Sequence, residues 1–274
     1  MKTFSQIINY MLPVLYLLVI FVYYRIFFKK DKNLGRVTRY ILPVLLLIQA
    51  AEILIRLIAL NAMPLSTLFD ALSFLTFSIL LVYYIIELTM NHKASGLFIL
   101  SFAFFLVVYS SFNHSWEPET NDLLKDPMFI LHASLNLIGY TALSLSALYA
   151  LMFILQNRNM KKHKFNILFD QMLPLDYLQN MSIRSVVIGI TLLGIGLLLG
   201  HYHAYNIFGK FWFNDPKVIV SDFIWFFYFV GYMGSRKLKL PARYMSYISL
   251  YGFLGLLFGG TLIINMAETF HKFY

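Results

Sequence analysis

Residues 184–205 read RSVVIGITLLGIGLLLGHYHAY. After Arg184 come sixteen residues without a charge, then two histidines two positions apart. A helix needs roughly 20 mostly apolar residues to cross about 30 Å of hydrocarbon. Lipid offers the backbone no hydrogen-bond partner, so a run of this kind must be helical. It does not alternate in polarity, as a strand of a membrane barrel would. Working outward, seven more apolar segments appear, giving eight near 7–28, 40–60, 66–89, 95–112, 128–156, 184–205, 218–235 and 244–268. The expectation is an all-α polytopic integral membrane protein, with 1–274 as a single membrane domain.

Composition agrees. Hydrophobic residues make up 59% of the 274 and charged residues only 13%, against about 25% charged in soluble domains. That excludes a soluble enzyme and a disordered chain. The net charge of +9 suggests nucleic acid at first sight, but in so apolar a chain it marks loops beside a membrane. Cysteine is absent, which removes disulfides, thiolate metal sites and thiol redox chemistry. The first segment has its basic cluster after it and no small-residue cleavage pattern, so it reads as a retained helix.

Sixteen of the twenty-two Lys and Arg residues lie in alternate loops: Arg25 to Arg39, Lys93, Arg158 to Arg184, and Arg236 to Arg243. The positive-inside bias places those loops in the cytoplasm. Both termini, the acidic stretch around Glu117 and the loop 206–218 then face outward. The 155–183 connection reads as a turn at Leu173-Pro174 leading into a short interfacial helix.

Ionisable residues within membrane segments are expensive and mark where to look for function. Glu52 and Arg56 are four apart on one helical face, and the plain reading is a paired charge that holds helices together. Asp70 opens a helix as a cap, and Asp222 beside Ser221 has the same choice of roles. His92 and His163 fall among lysines and read as solvated; His114 reads as exposed. His132, His201, His203 and His271 gather at the outer ends of helices. A neutral imidazole is a common metal and haem-iron ligand, and equally a hydrogen-bonding interfacial residue. On a continuous helix His201 and His203 point about 200° apart and do not share one ion. Between them and the next helix runs Gly209-Lys210-Phe211-Trp212-Phe213-Asn214-Asp215-Pro216-Lys217. Two readings stand for it: aromatic rings stacking on a planar porphyrin with Lys210 and Lys217 on its propionates, or an aromatic belt at headgroup level. Its Asp-Pro step suits a turn opening the next helix.

These stretches together resemble the cytochrome c assembly family, which includes CcsA (ResC), CcmC and HemX-like proteins. Pro64-Leu65-Ser66-Thr67-Leu68-Phe69-Asp70-Ala71-Leu72 is similar to its P-x-S-N-L-Y-E-S-L, and Leu131-His132-Ala133-Ser134 with Tyr140 to its L-H-V-S…S-Y. Leu175-Asp176 through Arg184, with Gly189, Gly196 and Gly200, resembles the approach to its signature loop. Gly209 to Lys217 is similar to W-G-x-Y-W-x-W-D-P-K-E, and Trp225 falls where the family has tryptophan in the next helix. The chain departs from the pattern at Phe208 and Asn214, where tryptophans are usual, at His203 for a third, and at Val218 for the acid. It shows no counterpart of the transmembrane histidines of the larger synthases.

The resemblance implies a haem-handling protein of cytochrome c biogenesis in the cytoplasmic membrane. It implies transiently bound b-type haem at the outer loop, set against Trp212, Asp215, Phe208, Phe211, Lys217 and His203. His132 and His271 are the implied axial iron ligands, the latter because Phe270-His271-Lys272-Phe273-Tyr274 is similar to an L-H-S-Y sequence. A CcsB (ResB)-like membrane protein and apocytochrome c are the implied partners, and no catalytic residue is assigned. Alternatives are a HemX-like protein influencing haem biosynthesis through its 155–183 loop, and a haem or small-molecule exporter using the glycines of residues 194–200 and 252–260.

Overall fold

Hydropathy sets the helices, and turn residues end them. The computed structural model describes residues 2–31, 33–60, 63–65, 67–90, 92–114, 125–209 and 215–266, with backbone alone at 60, 208, 217, 242 and 260–266. Within them lie α1 (Lys2–Lys29), α2 (Leu34–Leu60), α3 (Leu68–Met90), α4 (Gly96–Phe112), α5 (Pro127–Lys161), α6 (Ile167–Gln171), α7 (Leu175–Phe208), α8 (Pro216–Lys237) and α9 (Ala242–Met266). No strand occurs among the described residues. Six helices (α1, α2, α3, α5, α7 and α8) are long and apolar enough to cross a membrane, and α4 is a shorter apolar helix. The chain is a multi-pass, all-helical membrane protein. α9 covers the eighth expected segment with 25 residues.

One boundary differs from expectation. Residues 175–183 form no separate interfacial helix; they are the first turns of α7, a single helix of 34 residues. Pro174 stands just before it as N-cap, and no proline follows until Pro216, so nothing interrupts the backbone ladder.

The helices fall into two compact units. The first comprises Met1–Thr120 with Asn159–Leu173, and the second Asn121–Arg158 with Pro174–Tyr274. In the first, α1 packs on α2 and α4, α3 packs on α2 and α4, and short α6 lies against α1. Lipid tails are as apolar as leucine, so burial alone does little to hold membrane helices together; packing and hydrogen bonds do. This unit is tied at three levels. At the end where α1 finishes, Glu87 of α3 accepts hydrogen bonds from Tyr23, from Tyr83 (2.7 Å) and from Thr38 (2.7 Å), and pairs with Lys93 at 3.2 Å. Midway, Tyr16 donates to Gln49 Oε1 at 2.8 Å, Gln49 donates to the Ser73 carbonyl, and Ser73 meets Ser110 at 3.2 Å. At the end where α1 begins, Arg56 Nε of α2 donates to Asp70 Oδ1 of α3 at 2.6 Å, both fully buried.

That last pair is the expected paired charge holding helices together, with a partner the spacing did not name. Arg56 bonds the acid of the next helix rather than Glu52 of its own. Thr67 and Asp70 cap α3 reciprocally, as expected: Asp70 N–H donates to Thr67 Oγ1 while Thr67 N–H and Oγ1 donate to Asp70 Oδ2. His114 is not exposed as expected. It is half-buried, its ring edge-on to Phe69 at 4.7 Å.

In the second unit, Leu143, Val186, Ile190, Leu193, Leu197, Ile224, Tyr228 and Met245 form a buried core from α5, α7, α8 and α9. A serine knot joins three helices: Ser146 of α5 donates to the Ser182 carbonyl and to Ser249 Oγ of α9 at 3.0 Å. Tyr228 of α8 donates to the Ser249 carbonyl at 2.8 Å.

Candidate functional site

The site lies in the second unit, where α5 begins, α7 ends and α8 begins. His132 stands in the second turn of α5. Its Nδ1 is 2.7 Å from the Gly196 carbonyl of α7. A carbonyl only accepts, so Nδ1 carries the hydrogen and donates it. That tautomer leaves the lone pair on Nε2, the arrangement that orients histidine ligands of metals. Asn136, one turn along α5, sets its amide nitrogen 3.2 Å from Nδ1 and 3.4 Å from Nε2 of the same ring.

Glycine makes this contact possible. A Cβ at Gly200 would lie 2.6 Å from His132 Nδ1, and one at Gly196 would lie 2.9 Å from Asn136 Cγ. Side chains there would push the imidazole off the helix. Gly196, Gly200 and His203 are spaced i, i+4, i+7, so they share one face of α7. His203 Nε2 and Asn136 Oδ1 are buried without a hydrogen-bond partner. Buried polar atoms are nearly always satisfied, so these two, without a partner among the described residues, suit a region built to meet a further polar group.

His201 points away from that face, as the two-residue spacing requires, and its Nε2 pairs with Asp222 Oδ2 of α8 at 3.1 Å. Tyr140 Oη of α5 meets Ser221 Oγ at 3.1 Å, and Trp225 Nε1 donates to the Ile190 carbonyl at 2.8 Å. These bonds fix both stems of the segment between α7 and α8. Gly209 ends α7 at φ 66°, its N–H on the Tyr205 carbonyl, a conformation that glycine adopts freely.

Asp215 is 4% exposed and its Oδ1 accepts from the Val218 N–H at 3.4 Å, with Pro216 in the first helical position. It caps α8, as the Asp-Pro step foretold. Of the other expected haem contacts, Phe211, Trp212 and His271 lie outside the described residues, as do the side chains of Phe208 and Lys217. The structure thus brings His132 to the α5–α7 contact, places His203 on the same face of α7 as Gly196 and Gly200 by its spacing, and sets Asp215 at the start of α8. Asn136 and the Gly196 carbonyl escaped the sequence reading. A backbone acceptor leaves no mark in sequence, although the 196–200–203 spacing does.

The resident residues suit haem iron, which takes imidazole from the protein at its axial positions. Among the described residues no three His, Asp or Glu side chains converge on an ion, and axial ligation does not require it.

Residues 65–271 match the family model described as cytochrome C assembly protein. The chain belongs to the cytochrome c assembly protein family. Among relatives of this family member, Protein HemX of Brevibacillus brevis is 22% identical over 273 residues, 95% of each chain. Cytochrome c biogenesis protein CcsA of Trieres chinensis is 25% identical over 248 residues, 78% of each. CcsA of Guillardia theta is 26% identical over 211 residues, 70% of each.

Proposed function

We propose that this protein handles haem in cytochrome c biogenesis, holding it at the outer membrane face for delivery to apocytochrome c. The observation that carries the reading is the His132 imidazole, oriented through Nδ1 by the Gly196 carbonyl as metal-ligating histidines are oriented. His132 and His271 would hold the iron, and Trp212, Phe208, Phe211 and Lys217 of the aromatic 206–218 segment would hold the ring. His203 flanks it on the α7 face, and Asp215 serves indirectly by starting α8. Haem supplies the vinyl groups to which apocytochrome thiols add; the thiols belong to the partner, since this chain has no cysteine. The chain's share is to bind, orient and present. A CcsB-like membrane protein completes the assembly, with the signature segment facing outward from the cytoplasmic membrane.

The test is the visible spectrum of detergent-purified protein from haem-replete cells. A low-spin spectrum is expected, lost or altered in His132→Ala and in His271→Ala. An unchanged spectrum in both variants refutes the axial assignment. A second reading is favoured by the match to HemX along 95% of both chains: a membrane protein that influences haem biosynthesis without transferring haem. Under it, replacing the α5–α7 connection abolishes function while changes at the histidines do not.

A further inference from the structure

The α1–α4 unit contains a carboxyl that haem handling does not use. Glu52 of α2 is 0% exposed. Among the described residues its Oε1 receives one long bond, 3.5 Å from Ser5 Oγ of α1, and its Oε2 has no hydrogen-bond partner. One turn away, Arg56 gives its Nε to Asp70 at 2.6 Å. Asp70 also accepts from the Thr67 N–H and hydroxyl, so it is solvated as an anion and matches the single positive charge of Arg56.

Glu52 is then the surplus acid. Ionised, it would stand at this buried end with almost none of the donors, among the described residues, that stabilise a carboxylate. Buried charges persist when paired and hydrogen-bonded, and within a membrane the penalty is steeper. Glu87, at the other end of the same unit, shows the contrast: three hydroxyls and Lys93 surround it. A metal cation suits Glu52 poorly, since Ser5 is its one other oxygen partner and cationic Arg56 stands one turn away. A proton needs no ligand shell.

We propose that Glu52 is a proton-binding site of the α1–α4 unit, a neutral carboxylic acid at neutral pH. The polar and charged groups at this end come from several helices: Ser5 and, acting on His114, Lys2 from α1, Arg56 from α2, Asp70 and Thr67 from α3, and His114 following α4. His114 lies against Phe69, and Arg56 Cζ lies 4.7 Å from the same ring. The His114 Nε2 is buried and without a hydrogen-bond partner, so this end of the unit holds a second group able to take up a proton.

The experiment is infrared difference spectroscopy of the full-length protein in nanodiscs at neutral pH. Glu52→Gln, a neutral isostere, is expected to lose a protonated-carboxyl carbonyl band that shifts in heavy water, and Glu87→Gln to keep it. A Glu52→Gln spectrum that retains the band, or a wild type without one, overturns the proposal. Should Glu52→Gln fail to fold, the wild type is treated with an apolar carbodiimide, which attacks protonated carboxyls. An adduct mapped to Glu52 supports the proposal; adducts only elsewhere, or none, overturn it. Neither measurement depends on haem, so the outcome is separate from that of the haem reading.

Discussion

Gly200→Ala tests whether helix contact positions the imidazole. The new methyl would lie 2.6 Å from His132 Nδ1 and 3.0 Å from its Nε2, inside the contact distance of real side chains. α7 is continuous there and α5 is held by the serine knot, so the ring is the part that moves. Rotating it away breaks the Nδ1–H bond to Gly196, worth about 1 kcal/mol. Overpacking adds about 1–3 kcal/mol. Alanine's better helix propensity returns about 1 kcal/mol. The net loss is therefore about 1–3 kcal/mol. Gly255→Ala in α9 is the control. Its methyl meets no described atom within 4 Å, so only the propensity gain remains, about 1 kcal/mol. The assay is reversible unfolding in mixed detergent micelles followed by tryptophan fluorescence, with the visible spectrum recorded on the same samples. Gly200→Ala should unfold earlier than wild type and disturb haem ligation, and Gly255→Ala should unfold later. A Gly200→Ala protein as stable as wild type with an unchanged spectrum refutes the reasoning.

Two further outcomes are expected. Asp215→Ala should destabilise the protein by about 0.5–2 kcal/mol through loss of the α8 cap, with Asp215→Asn retaining most of the stability; equal loss in both variants would mean that the charge, not the cap, matters. Burial, aided by the nearby Arg56 charge, holds the His114 imidazole below its ordinary value. The unfolded chain therefore takes up a proton before the folded one does, and stability falls as pH drops from the ordinary imidazole range through the depressed folded value. Above that range this contribution is flat. His114→Gln should lessen the acid-side fall in unfolding midpoint, and an identical pH profile for the two proteins would contradict it.

Most helices were legible because hydrophobic runs of membrane length leave the backbone one solution. The start of α7 was not: Asp176 and Arg184 lower the hydropathy of its first turns, yet with no breaker the helix continues through them. That Arg56 carries a paired charge holding helices together was legible, but its partner was not. An i, i+4 pair is a local expectation, whereas Asp70 reaches Arg56 from another helix, already oriented by its own cap. Glu87 drew no notice, since a single acid in an apolar run carries no sign of the tyrosines that will surround it. At the candidate site, His132 was legible through resemblance to a known motif. The tautomer was not, being set by a main-chain oxygen.

The ties within the α1–α4 unit bear on how the chain enters the bilayer during synthesis. α3 carries Asp70 in its first turn and Glu87 in its last, and ionisable residues in a membrane segment are costly unless partnered. The groups that neutralise these acids from neighbouring helices, Tyr23, Thr38 and Arg56, all precede them in the chain. Lys93 follows within six residues of Glu87. When α3 leaves the ribosome its partners are already made, and the lysine that completes the cluster stops at the membrane surface behind it. Arg56 is the early debtor: α2 must wait for the first turn of α3 before its own charge is answered. The two helices are thus suited to enter lipid as a hairpin, with α1 already in place.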